Sequence, residues 1–157
     1  MRLIDKTIFI DAPPEHVYQL LIETESLMEW MAPQARSDPR PGGELTWTHQ
    51  AGDSVIGSFI DLVPARRVVF SFGWDRPDVE VPAGSTVVEI DLTPLRGGTF
   101  LRLVHRGLDG PIADGRRPRR GLANYLVCLA VLAAGRDPGP DPLADQRVPA
   151  AVDLRTP

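Results

Sequence analysis

GLANYLVCLAVLAAG, residues 121–135, carries no formal charge in a chain where charged residues make up 24% of the total. Apolar side chains recur at Leu122, Tyr125, Leu126, Leu129, Leu132 and Ala133, the i, i+3, i+4, i+7 stripe of a helix. The opposite side reads Ala123, Val127, Ala130 and Ala134. A helix that is apolar on every side has to be buried, in protein or in lipid. Length argues against lipid, because at about 1.5 Å per residue the run reaches about 20 Å, short of the roughly 20 residues a span needs. The helix is therefore expected at the buried centre of a water-soluble domain.

The elements upstream define what surrounds it. TIFID (7–11) alternates around Ile8 and Ile10 and runs into APP, a strand feeding a helix with proline in its first turn. That helix carries Val17, Leu20 and Leu21 on one stripe. A second short helix is expected from Thr24, with Leu27, Trp30 and Met31 inward, ending at Pro33. SDPRPGG reads as turn. Strand-like runs follow at 44–49, 54–63, 67–74, 86–93 and 99–106, each closed by glycine or proline. VPAR and PLRGG have the composition of hairpin turns, and Gly135 fits the left-handed residue that stops a helix. Consecutive strands joined by short turns make an antiparallel sheet, so the class is α+β. Such a sheet has one apolar face to cover and one long helix left to cover it. A cavity opens between them where the sheet curves away.

The 157 residues, 43% of them hydrophobic, suit one domain with a substantial core. That domain is expected over 1–136. The segment 137–157 has five prolines and no periodic apolar face, and is expected to be a flexible tail. A net charge of −4 argues against a nucleic-acid partner. The single cysteine, Cys128, forms no internal disulfide. The first residues show no signal-peptide pattern. A cytoplasmic protein with no membrane partner is the expectation.

Five pieces, IDAPPEHVYQLLIETESLMEWMAP, RPGGELTW, GSFIDLVPARRVVFSFGW, STVVEIDLTPLRGGTFLRLVHRGL and RGLANYLVCLAVLAAG, occur in an order that resembles the helix-grip superfamily. This group, SRPBCC, includes START lipid-binding domains, birch-pollen-allergen-like proteins and polyketide cyclases. The likeness is strongest to the branch named after the activator of the large heat-shock ATPase chaperone. It covers about residues 6 to 136. The resemblance implies a curved antiparallel sheet of about six strands wrapped around a long C-terminal helix, with two short helices after the first strand. Many relatives have tryptophan where this chain has Leu122, and often where it has Phe72, so aromatic bulk is trimmed from two expected cavity positions.

The candidate cavity lining follows from alternation and helical spacing. Phe70, Phe72 and Trp74 share a strand face, and Trp30, Trp47, Phe59 and Tyr125 complete the chain's concentration of aromatics. Leu101, Leu103 and His105 share the inner face of the last strand, opposite Leu122, Tyr125, Leu126 and Leu129. This set suits a nonpolar ligand; ordinary core packing accounts for it equally well. A histidine on an apolar wall orients a ligand oxygen or moves a proton, or is simply a satisfied histidine near a strand end. His49 shares a face with Leu45 and Trp47, and His16 is expected at the surface. Glu89 and Asp91 alternate with Val88, Ile90 and Leu92 and should face water. Asp61 shares alternation with Phe59, which points it toward the cavity, although a solvated position is the simpler expectation. RRPRR (116–120) stands at a helix start, where an anion is favoured and a solvated loop is the plainer account. No nucleophile elbow accompanies the serine of GSFIDLV, and the histidines and Cys128 lack zinc-ligand spacing. No catalytic residue, metal or cofactor is assigned.

The leading functional reading is binding of a small, largely apolar or amphipathic molecule between sheet and last helix. A second is a cyclase- or hydrolase-like enzyme using the same cavity with His105 as acid or base. A third is a chaperone-associated interaction module, weakened because the chain offers one isolated domain.

Overall fold

The computed structural model describes residues 2–79, 81–108, 125–140 and 147. Their element order is β1 (Arg2–Ile10), α1 (Pro14–Ile22), α2 (Thr24–Trp30), β2 (Gln34–Ser37), β3 (Glu44–Thr48), β4 (Ser54–Val63), β5 (Arg67–Phe72), β6 (Thr86–Leu95), β7 (Gly98–Leu108) and α3 (Leu126–Ala133). The strands form one curved, fully antiparallel sheet in the order β1-β7-β6-β5-β4-β3-β2. The helix-grip arrangement expected from the sequence is present, with seven strands rather than about six. The additional one is β2, whose QARS has no apolar alternation. It is made a strand by pairing with β3, Ala35 opposite Trp47.

The alternation read from the sequence decides which side is core. Val88, Ile90 and Leu92 on β6 point inward with Leu101 and Leu103 on β7 and Val68 and Phe70 on β5, all buried. The outer face is charged. Arg67 reaches Asp91 at 2.8 Å and Asp61 at 3.6 Å, and Arg106 reaches Glu89 at 3.4 Å. Arg102 grips Asp5 across the β1–β7 pair at 2.7 Å, and that hydrogen bonding holds the Asp5 carboxyl below its ordinary range.

Asp61 does not continue the inward face of Phe59. Phe59 lies opposite Phe70 and Asp61 opposite Val69, so Ile60 is the extra residue of a β-bulge. The bulge shifts the phase by one, turning Leu62 in toward Val68 and Asp61 out toward Arg67.

α1 opens with Pro14 and buries Val17, Leu20 and Leu21. α2 is tied to it by Trp30, whose Nε1–H donates to the Leu20 carbonyl at 2.8 Å. α3 buries Leu126, Leu129 and Ala133, with Tyr125 just before it. It ends in a Schellman motif: Gly135 at φ 84° donates to Leu132 O and Arg136 donates to Val131 O. Residues 121–124 of the expected helix, and the arginines at 116–120, lie outside the described residues. The expectation that both stripes are buried is not met. Val127 is 65% exposed, because α1, α2 and β1 lie against one side of α3 and the uncharged composition of the other side does not itself provide a covering. Among the described residues, no helix is long and apolar enough to cross a membrane.

Candidate functional site

The inner face carries a continuous ribbon of rings. Phe70 meets Trp47 edge-on at 6.2 Å, and Trp47 meets Phe72 at 5.9 Å. Phe72 meets Trp74 at 5.9 Å, and Trp74 meets His49 at 5.5 Å. His49 then stacks on Tyr125 at 5.5 Å, which carries the ribbon from sheet to helix. Six sequence candidates are thus brought together: Trp47, Phe70, Phe72, Trp74, Tyr125 and, through its 4.8 Å edge contact with Phe72, His105. Trp30, Phe59, Leu101, Leu103, Leu126 and Leu129 join the same core cluster. Leu122 lies outside the described residues.

Two polar groups that sequence reasoning ranked low or missed hold this ribbon. His49, 2% exposed, faces Tyr125 with its Nδ1 3.5 Å from the phenol oxygen. Its shared face with Leu45 and Trp47 was the available signal. Thr86 was missed. Its hydroxyl lies 2.7 Å from both the Phe72 carbonyl and His105 Nε2. A carbonyl only accepts, so the single Thr86 proton goes to Phe72 O, and Nε2 of His105 must be the donor to Thr86. The arrangement assigns the Nε2–H tautomer to the neutral ring.

Asp53 is a third such group, with a side chain shut off from solvent. Its carboxylate accepts from Arg76 at 3.3 Å and from Arg147 at 2.9 Å. Arg76 also forks onto Asp78, and those hydrogen bonds lower the Asp78 carboxyl from its usual range.

Space near the ribbon is of three kinds, one of them a hollow of about 120 Å³ on β2 and β3 lined by Ala35, Thr46 and Trp47 among others. A cleft of about 210 Å³ lies between α2 and α3, walled by Met28, Trp30, Met31, Tyr125 and Cys128, with Glu29 and Gln50 as polar members and Pro138–Gly139 at its edge. Behind Trp30 and Met31 is a void of about 10 Å³, bounded also by Leu21, Leu27, Leu45, Trp47, Phe70 and Ile90. Sequence periodicity gave no sign of the cleft walls other than Trp30, Met31 and Tyr125, since Met28 and Cys128 lie off the buried stripes.

Residues 11–133 match the family model described as Activator of Hsp90 ATPase homolog 1-like protein. No curated protein sequence matches. Among solved structures, an AHSA1-like protein of Rhizobium etli is 40% identical, with a TM-score of 0.66 over 94% of this chain and 91% of its own. The Aha1 dimer of Colwellia psychrerythraea is 20% identical, with a TM-score of 0.68 over 87% of this chain and 97% of its own. An HSP90 activator of Plasmodium falciparum is 17% identical, with a TM-score of 0.58 over 70% and 76%. The last two show likeness of fold. The match over 11–133, with a Rhizobium relative aligned along almost the whole length, shows that the chain belongs to the Activator of Hsp90 ATPase homolog 1-like family.

Proposed function

We propose that this protein binds a small, largely apolar molecule in the cleft between α2 and α3. The cleft itself carries the reading: methionine and aromatic walls supply ring contacts, and its exposed surface, at least as polar as apolar, accommodates one polar end on the ligand. Its volume of about 210 Å³ sets the size. An apolar cavity of about 150 Å³ accepts benzene, so a molecule of one or two rings is the fitting class. His105 supports binding over proton transfer, because its Nε2–H is committed to Thr86 within the core and it is 3% exposed.

The test is fluorescence titration with 1-aminoanthracene, a small apolar dye. Saturable one-to-one binding is expected. Cys128→Trp fills the cleft from the α3 side and should abolish that binding while the melting temperature stays within a few degrees. A parent protein that shows no saturable binding, or a Cys128→Trp variant that binds as well as the parent, overturns the proposal.

A further inference from the structure

The indole nitrogens of Trp30 and Trp47 are in opposite circumstances. Trp30 Nε1–H is used, donating to the Leu20 carbonyl at 2.8 Å. Trp47 is 2% exposed, and its Nε1 has no hydrogen-bond partner among the described residues. A buried donor left without an acceptor pays its full desolvation penalty, and native proteins rarely retain one without a use. The rings of Phe70 and Phe72 pack on Trp47, but an aromatic face is a second-order acceptor at best.

Trp47 borders the void of about 10 Å³, which is at the lower limit for a single water. A water there also needs two to four polar partners. The void's other polar side-chain group, the Trp30 N–H, is already spent on Leu20. The surroundings therefore suit an oxygen attached to something apolar better than they suit water. The void and the larger cleft share one wall, Trp30 and Met31. Met31 is unbranched with three rotatable bonds, the type of side chain that re-packs at low cost. A ligand that reaches from one space into the other requires Met31 to change rotamer.

We infer that Trp47 Nε1–H is the inner end of the ligand site, and that it takes the oxygen of an otherwise apolar molecule bearing one hydrogen-bond acceptor, such as an aryl ketone. This rests on the cleft being the binding site. Trp47 then sets specificity: a ligand with the oxygen is favoured over one of the same shape without it.

The experiment uses two probes of matched shape, acetophenone and α-methylstyrene, which differ by C=O against C=CH₂. The full-length protein is labelled with nitrogen-15, and the three indole N–H signals are assigned by the losses in Trp30→Phe and Trp74→Phe. Acetophenone should move the Trp47 indole proton downfield, and α-methylstyrene should not. Acetophenone should bind the parent about three- to tenfold more tightly than it binds Trp47→Phe, the worth of one hydrogen bond, with α-methylstyrene affinity unchanged. If Trp47→Phe fails to fold, the indole shift in the parent decides alone. Both probes binding with equal affinity, and no selective indole shift, overturns the role of Trp47 and leaves the cleft as a binding site. Binding of neither probe overturns both.

Discussion

At the scale of single residues, Thr86 is the most exacting position. One hydroxyl serves the Phe72 carbonyl and His105 Nε2, and all three residues are buried. Thr86→Val keeps the shape and removes both bonds. It should cost about 1–3 kcal/mol, the penalty for buried polar groups left unpaired. Urea denaturation of the two proteins measures this directly, and equal midpoints would show that the hydroxyl does not hold the pair. The inward position of His105 was legible, because Leu101, Leu103 and His105 alternate. Its partner was not, since Thr86 lies 19 residues away on a neighbouring strand and the register β6 adopts against β7 brings them together. Asp61 was expected in solvent and lies there, but the reason was not legible: strict alternation carries it inward, and one bulged residue reverses it. The Trp47 N–H shows the deeper limit. Sequence places an indole ring in the core without saying whether an acceptor waits for it.

Among the elements, β4 and β5 approach too closely at one point for any side chain. A Cβ added to Gly57 would overlap the Ser71 carbonyl oxygen, and beside it Ser58 N–H donates to Ser71 Oγ at 3.0 Å. Two effects oppose each other in Gly57→Ala. Relief of glycine's excess chain entropy favours alanine by roughly 0.5–1 kcal/mol. The overlap with backbone costs about 1–3 kcal/mol as strain. The strain wins, so the melting temperature should fall, and a rise would mean that β4 slides to make room. The strands and first two helices were legible because each carries its own period and punctuation. β2 was not, since QARS has no apolar pattern and is held by β3 alone. α3 was overread: lack of charge suggested burial on every side, whereas one stripe is buried and Val127 stays exposed.

For the whole molecule, the question is how far the last residues belong to the fold. Arg147 reaches Asp53, yet its own side chain is 62% exposed, and Arg76 also pairs with the same carboxylate. Ending the chain after Pro140 keeps the cleft edge at Pro138 and Gly139. It should lower stability by less than about 1 kcal/mol, because Arg147 is the exposed partner and Arg76 still pairs with the buried Asp53 carboxylate. A larger loss in chemical denaturation would mean that residues 141–157 are part of the domain. The sheet order has a further consequence, in time rather than in space. β1 is an outer strand, and it pairs with β7, Phe9 lying opposite Phe100. β1, the first of the described strands to be made, must therefore wait for β7, the last of them. At about 5–20 residues per second of synthesis, that wait is on the order of 5–20 s, during which the backbone donors and acceptors of residues 2–10 have no strand to meet. Asp5 and Lys6 put charge in the middle of this early strand, the kind of side chain that discourages an unpaired strand from joining another chain, and Arg102 later takes up one of them.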